Sequence, residues 1–137
     1  MTLKSCLAAI SVLLGLALAV TSVQAAECPA KTALSDNVVA LLEEARTCDS
    51  AMELFAACQY GASGDTELGD VVEKKCEADF FDKAETSKKH AYRRELGVCD
   101  RKYRNKSGTM YISFTAFCRA EGARRYSREA RKAAGAK

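Results

Sequence analysis

Residues 91–103 read AYRRELGVCDRKY, and within them Tyr92, Leu96, Cys99 and Tyr103 recur at intervals of four, three and four. Lysine and arginine fill the other faces. That period puts one apolar stripe along an α-helix, and a stripe of this composition belongs in a seam between helices.

The same period appears on both sides of this stretch. Leu34, Val38, Leu41, Leu42 and Ala45 share a face and predict a first helix over about 35–46. Ser50 followed by Glu53 reads as a capping box opening a short second helix, SAMELFAACQY. GASGD, residues 61–65, is a turn, and its Asp65 is placed to cap a third helix carrying Leu68, Val72, Cys76 and Phe80. Downstream, Gly108 in RNKSGTMY (104–111) has the backbone freedom to end one helix before another begins. YISFTAFC, residues 111–118, suits a strand by its β-branched and aromatic content. It suits a helix by the placing of Tyr111, Phe114 and Cys118, and its continuation into AEGARRYSREARKAA favours the helix. The last residues, AAGAK, read as a frayed end. The expected fold is all-α, a small disulfide-stapled bundle of about four to five helices in one domain.

The first 25 residues read as a cleaved signal peptide: Lys4, then an apolar core of 14 residues from Leu7 to Val20, then Val23-Gln24-Ala25. The folded domain is therefore expected to be 26–137, in the periplasm or secreted, with no membrane span. Removal of the leader takes Cys6 and leaves cysteines at 28, 48, 58, 76, 99 and 118. An even count in an exported chain reads as a disulfide framework. Zinc would favour a CxxC pair, which the intervals of 19, 9, 17, 22 and 18 residues do not contain. Cys48 and Cys58 flank one short helix, and Cys99 and Cys118 flank the Ser107-Gly108 turn. Those two pairs are expected, which leaves Cys28 with Cys76.

Charge is divided along the sequence. Residues 26–82 carry 4 Lys/Arg against 13 Asp/Glu, and residues 83–137 carry 16 against 5. Two explanations are open, attraction between the halves or attraction of a partner. For the second, Arg119, Arg124, Arg125, Arg128, Arg131 and Lys132 on the last helix are candidates to meet a polyanion, lipopolysaccharide or nucleic acid. Little points to catalysis. His90 is the single histidine and stands among Lys88, Lys89 and Arg93 on a solvated face. Serine-nucleophile motifs, phosphate-cradling glycine loops and metal-binding histidine pairs are absent, so no metal, cofactor or small-molecule substrate is expected. Asp65, Glu67, Asp70, Glu73, Glu77 and Asp79 read as a solvated acidic face of the third helix.

Three stretches carry a resemblance. CDSAMELFAAC followed by GDTELGDVV presents a cysteine pair and an Asp-x-Glu-Leu helix start. AYRRELGVCDRKY presents an arginine-and-cysteine helix, and KSGTMY through FCRAEGARRY presents a glycine turn, a final cysteine and a basic helix. Over roughly residues 48–131 this resembles the LprI-type lysozyme-inhibitor family, small exported helical domains of bacteria. The chain departs from that pattern in having Tyr92 near a usual tryptophan and Ser107-Gly108 in place of Gly-Gly; residues 26–47 lie outside the likeness. The resemblance implies a noncatalytic envelope protein that binds a lysozyme-like muramidase. Lys106, Ser107, Gly108 and Tyr111 are the candidate contacts, because an ammonium, a hydroxyl and backbone N–H groups suit a cleft of two carboxyl groups. Ser107 to Tyr111 also has the SGxxY form used by other, β-barrel lysozyme inhibitors. The competing reading of RNKSGTMY is a plain interhelical turn.

Overall fold

The computed structural model describes residues 27–30 and 35–135. The leader expected over 1–25 and Leu34 lie outside the described residues. Five helices follow one another: α1 Ser35–Glu44, α2 Cys48–Cys58, α3 Asp65–Glu77, α4 Thr86–Lys102 and α5 Thr109–Gly135. The fold is a small all-helical bundle stapled by three disulfides.

Contacts between helices set their directions. Asp65 meets Ser113, Glu73 meets Arg119 and Asp79 meets Ser127, so α3 and α5 run parallel in a steady register. Lys88 pairs with Glu129 and Cys99 with Cys118, so α4 returns antiparallel to α5. Asp49 reaches Arg128 while Phe55 stacks on Phe117, so α2 is also antiparallel to α5. The most extensive interface is that of α3 with α5; α4 packs on α5 and, through Tyr92, on Phe80 and Phe81 of the segment after α3.

α5 is helical throughout, and its buried row is Ser113, Ala116, Ala120, Ala123 and Ser127, not the Tyr111, Phe114 and Cys118 stripe read from the sequence. The row still has helical spacing, but its members are small. A Cβ added at Gly69 of α3 would stand 2.9 Å from the Ala116 Cβ, so the two backbones approach too closely for larger side chains. Phe114 is displaced outward to 42% exposure. On α4 the stripe is as expected, with Tyr92, Leu96 and Cys99 buried and Tyr103 half-buried. Val38, Leu42, Phe55, Leu68, Val72 and Phe80 complete the core.

Two caps differ from expectation. Thr47, not Ser50, caps α2: its Oγ1 accepts from the Ser50 amide at 3.0 Å, and Ser50 Oγ accepts from the Thr47 amide at 3.1 Å. Asp65 is fully buried and serves the preceding turn instead of its own helix. It accepts from the amides of Tyr60, Gly61 and Ala62 at 2.7, 2.9 and 3.3 Å, and from Ser113 Oγ at 2.6 Å. Gly61 takes φ +67°, which lets successive amides converge on one carboxylate.

The disulfides are Cys28–Cys58, Cys48–Cys76 and Cys99–Cys118. The third was expected; the expected Cys48–Cys58 and Cys28–Cys76 pairs are not formed. Cys48 and Cys58 are the two ends of α2. Ten residues of helix separate Cα atoms by about 15 Å, whereas a disulfide needs them within about 7 Å. Cys48 bonds across to α3 with a Cα separation of 4.6 Å, and Cys58 secures the segment containing Cys28 at 4.7 Å.

Peptide mapping of the nonreduced protein should recover these three pairs, and a Cys48–Cys58 linkage would contradict this arrangement. Asp65→Ala, which strands three amides and a buried hydroxyl, should cost about 3 kcal/mol in urea unfolding with the disulfides intact. A change below about 0.5 kcal/mol would show that water replaces the carboxylate.

Candidate functional site

The turn between α4 and α5 projects beyond the bundle, and residues 104–110 are all exposed. The Lys106 amide donates to the Tyr103 carbonyl at 2.9 Å, and the Tyr111 amide to the Gly108 carbonyl at 3.2 Å. Gly108 takes φ +109°, as the sequence predicts for the residue that breaks the helix. Below the tip, Tyr103, Tyr111 and Phe114 form a ring cluster with centroids 5.7–6.0 Å apart. The Cys99–Cys118 bond then ties the two helices together.

A cleft of about 410 Å³ opens between α3, the end of α4 and the start of α5. It lies beside the α3–α5 seam, and the close Gly69–Ala116 contact forms part of its wall. Lys106 and Tyr111 both line it, together with Tyr103, Arg104, Ile112 and Asp70, while Ser107 and Gly108 stand at the tip outside the lining. The structure therefore brings together two of the four predicted contact residues. Tyr111 is half-buried by its ring neighbours, so it supports the tip as well as lining the cleft.

Across the cleft floor Arg119 bridges two carboxylates. Its Nη2 and Nε donate to the two oxygens of Glu73 at 2.9 and 3.0 Å, and its Nη1 to both oxygens of Asp100 at 2.9 and 3.0 Å. Burial pushes the Glu73 carboxyl above its ordinary pKa, and Arg119 only partly offsets this. Burial also opposes the charge on Arg119, but the bonds to Asp100 and Glu73 outweigh it and hold the guanidinium above its ordinary value. Both carboxylates are committed to one cation, which makes the bridge a brace between α3, α4 and α5. Asp70 is the one carboxylate lining the cleft that forms no ion pair among the described residues.

Glu73, Asp65 and Asp79 are thus no part of a uniform solvated face: Asp65 and Glu73 are buried, and Asp79 binds Ser127 and Arg131. Nothing local distinguishes them from Asp70. A signal for the Arg119–Asp100 bond was present, because each residue directly follows a cysteine of the pair Cys99 and Cys118, which the sequence joins. His90 is exposed, as expected. Comparison with protein-family models, with curated proteins and with solved structures finds no match.

Arg119→Met should destabilise by about 3 kcal/mol or more, since it leaves Glu73 charged, buried and unpaired. Glu73→Gln should cost about 1 kcal/mol, because Arg119 keeps Asp100. The folded chain releases the Glu73 proton later than the unfolded chain does. This contribution is therefore present below the ordinary value of 4.5 and is lost as pH rises through the raised pKa. Parallel urea titrations across that window should show the wild type falling relative to Glu73→Gln; equal costs for the two variants would contradict the brace.

Proposed function

We propose that this chain is a noncatalytic, exported cell-envelope protein that binds a lysozyme-like muramidase through the α4–α5 tip. The observation that carries this reading is a tip that is exposed yet held rigid by the ring cluster, the Gly108 turn and the Cys99–Cys118 bond. Preorganisation of this kind lowers the entropy lost on association. Met110 and Ile112, 48% and 45% exposed, offer apolar anchors at the start of α5, and Ile112 lines the cleft with Lys106. Lys106, Ser107 and the backbone N–H groups around Gly108 suit a cleft containing two carboxyl groups. The exposed carboxylates of Glu43, Glu44, Glu53 and Asp70 enter no ion pair among the described residues, and their field favours encounter with a cationic partner. The commitment of Glu73 and Asp100 to Arg119 supports a binding role over acid–base chemistry.

The alternative, a polyanion site on α5, draws less support. Arg119, Arg124, Arg125, Arg128 and Arg131 are all ion-paired within the molecule, which leaves Lys132 alone of the six candidates without an ion pair among the described residues. The three disulfides fit the oxidising compartment that export would provide. No helix among the described residues is long and apolar enough to cross a membrane.

A lytic assay on peptidoglycan, with and without the oxidised protein, tests the reading. Lysis should slow in its presence; undiminished lysis at large molar excess would end the proposal. The combined variant Lys106→Ala, Ser107→Ala and Met110→Ala should melt like the parent and lose inhibition, because all three side chains are exposed. Tyr111 is better changed to Phe, which keeps its packing on Tyr103 and Phe114.

A further inference from the structure

α4 is an edge helix: among the described helices it packs on α5 only, Tyr92 also meeting Phe80 and Phe81, and its opposite face is exposed. His90, Arg94, Gly97 and Arg101 recur along that face at intervals of four, three and four, two residues ahead of the buried stripe and nearly opposite to it. His90, Arg94 and Arg101 are exposed. Arg93 flanks it, stacked on the Phe81 ring at 5.2 Å. None of these side chains enters an ion pair among the described residues. The acids of α4 are turned away and engaged, Glu95 with Arg125 and Asp100 with Arg119. The basic half of the chain therefore engages its α5 arginines internally and, besides Lys106 at the tip and Lys132 of α5, leaves unpaired positive charge along α4.

We infer that this face of α4 docks onto an anionic lipid surface through headgroup phosphates. Guanidinium groups are suited to phosphate oxygens, and a row on one straight edge helix meets a plane along its whole length. His90 and Arg101 are separated by about 16 Å along the axis at the helical rise. Val98, 54% exposed, lies next to Arg94 and Arg101 and places an apolar side chain at the level of the headgroups. The face from His90 to Arg101 offers no exposed Phe, Tyr or Trp ring to stack on a base and no Asn or Gln to read one, which disfavours a nucleic acid.

The test is sedimentation of the full oxidised protein with phosphatidylcholine vesicles, with and without phosphatidylglycerol, at low and high sodium chloride. Binding should require phosphatidylglycerol and be released by salt. Arg94→Glu with Arg101→Glu should weaken it roughly tenfold or more. Lys74→Glu with Lys132→Glu, the same change in net charge elsewhere, should leave most of it. Arg94→Gln with Arg101→Gln gives the same reading if charge reversal impairs folding. Absence of binding, equal loss in both charge-matched variants, or retention of full binding by the α4 variants would overturn the assignment. So would capture of duplex DNA, but not of vesicles, through the same arginines.

Discussion

Asp65, Glu73 and Asp79 each cross from the third helical region to α5, at Ser113, at Arg119 and at Ser127 with Arg131. Between these ties α5 presents a row of small residues, and Gly69 against Ala116 sets how closely the backbones approach. A parallel pair of helices has no short connection to hold its register. Here the register is held by charge placed at spaced points along a close seam. Shifting α5 by one turn would leave buried carboxylates without their donors, a cost of several kcal/mol that no gain in apolar contact offsets.

The remaining architecture follows from that seam. α4 reaches α5 by the turn at Gly108 and is fastened by Cys99–Cys118. α2 closes over α3 through Cys48–Cys76, and over α5 through Phe55 stacked on Phe117 at 4.0 Å. The cleft lies beside the close α3–α5 approach at Gly69 and Ala116, and the Arg119 bridge ties the helices across its floor. The α4–α5 tip is then a projecting turn on a braced base, so its shape is decided before any partner arrives.

The division of charge has a structural use. The acidic half faces the arginines of α5 through Asp49, Glu73 and Asp79, each partly or wholly withdrawn from solvent. Exposed pairs of this kind contribute little apiece, but a guanidinium shared between two carboxylates also fixes orientation. What remains for intermolecular contact is negative on the exposed parts of α1 to α3 and positive on the outer face of α4, with an uncommitted tip between α4 and α5.

The sequence by itself determined the helical class, the α4 stripe of Tyr92, Leu96 and Cys99, the break at Gly108 and the Cys99–Cys118 bond. Each of these is a local matter: a period of 3.6 residues, a backbone conformation that glycine tolerates, or two cysteines across one hairpin. Tertiary structure alone decided the partners of Cys28, Cys48, Cys58 and Cys76, because a helix holds its own ends apart and the partner comes from elsewhere, from α3 for Cys48 and from the segment ahead of α1 for Cys58. It also decided which acids are buried. Asp65 and Glu73 differ from Asp70 only in what α5 places opposite them, and hydropathy along one chain segment carries no record of its neighbour. The bulky Tyr111 and Phe114 carried the helical period read from the sequence, whereas the buried row is the small Ser113, Ala116 and Ala120. The order reversed because the limit at that seam is the distance between two backbones, which only the packed structure sets.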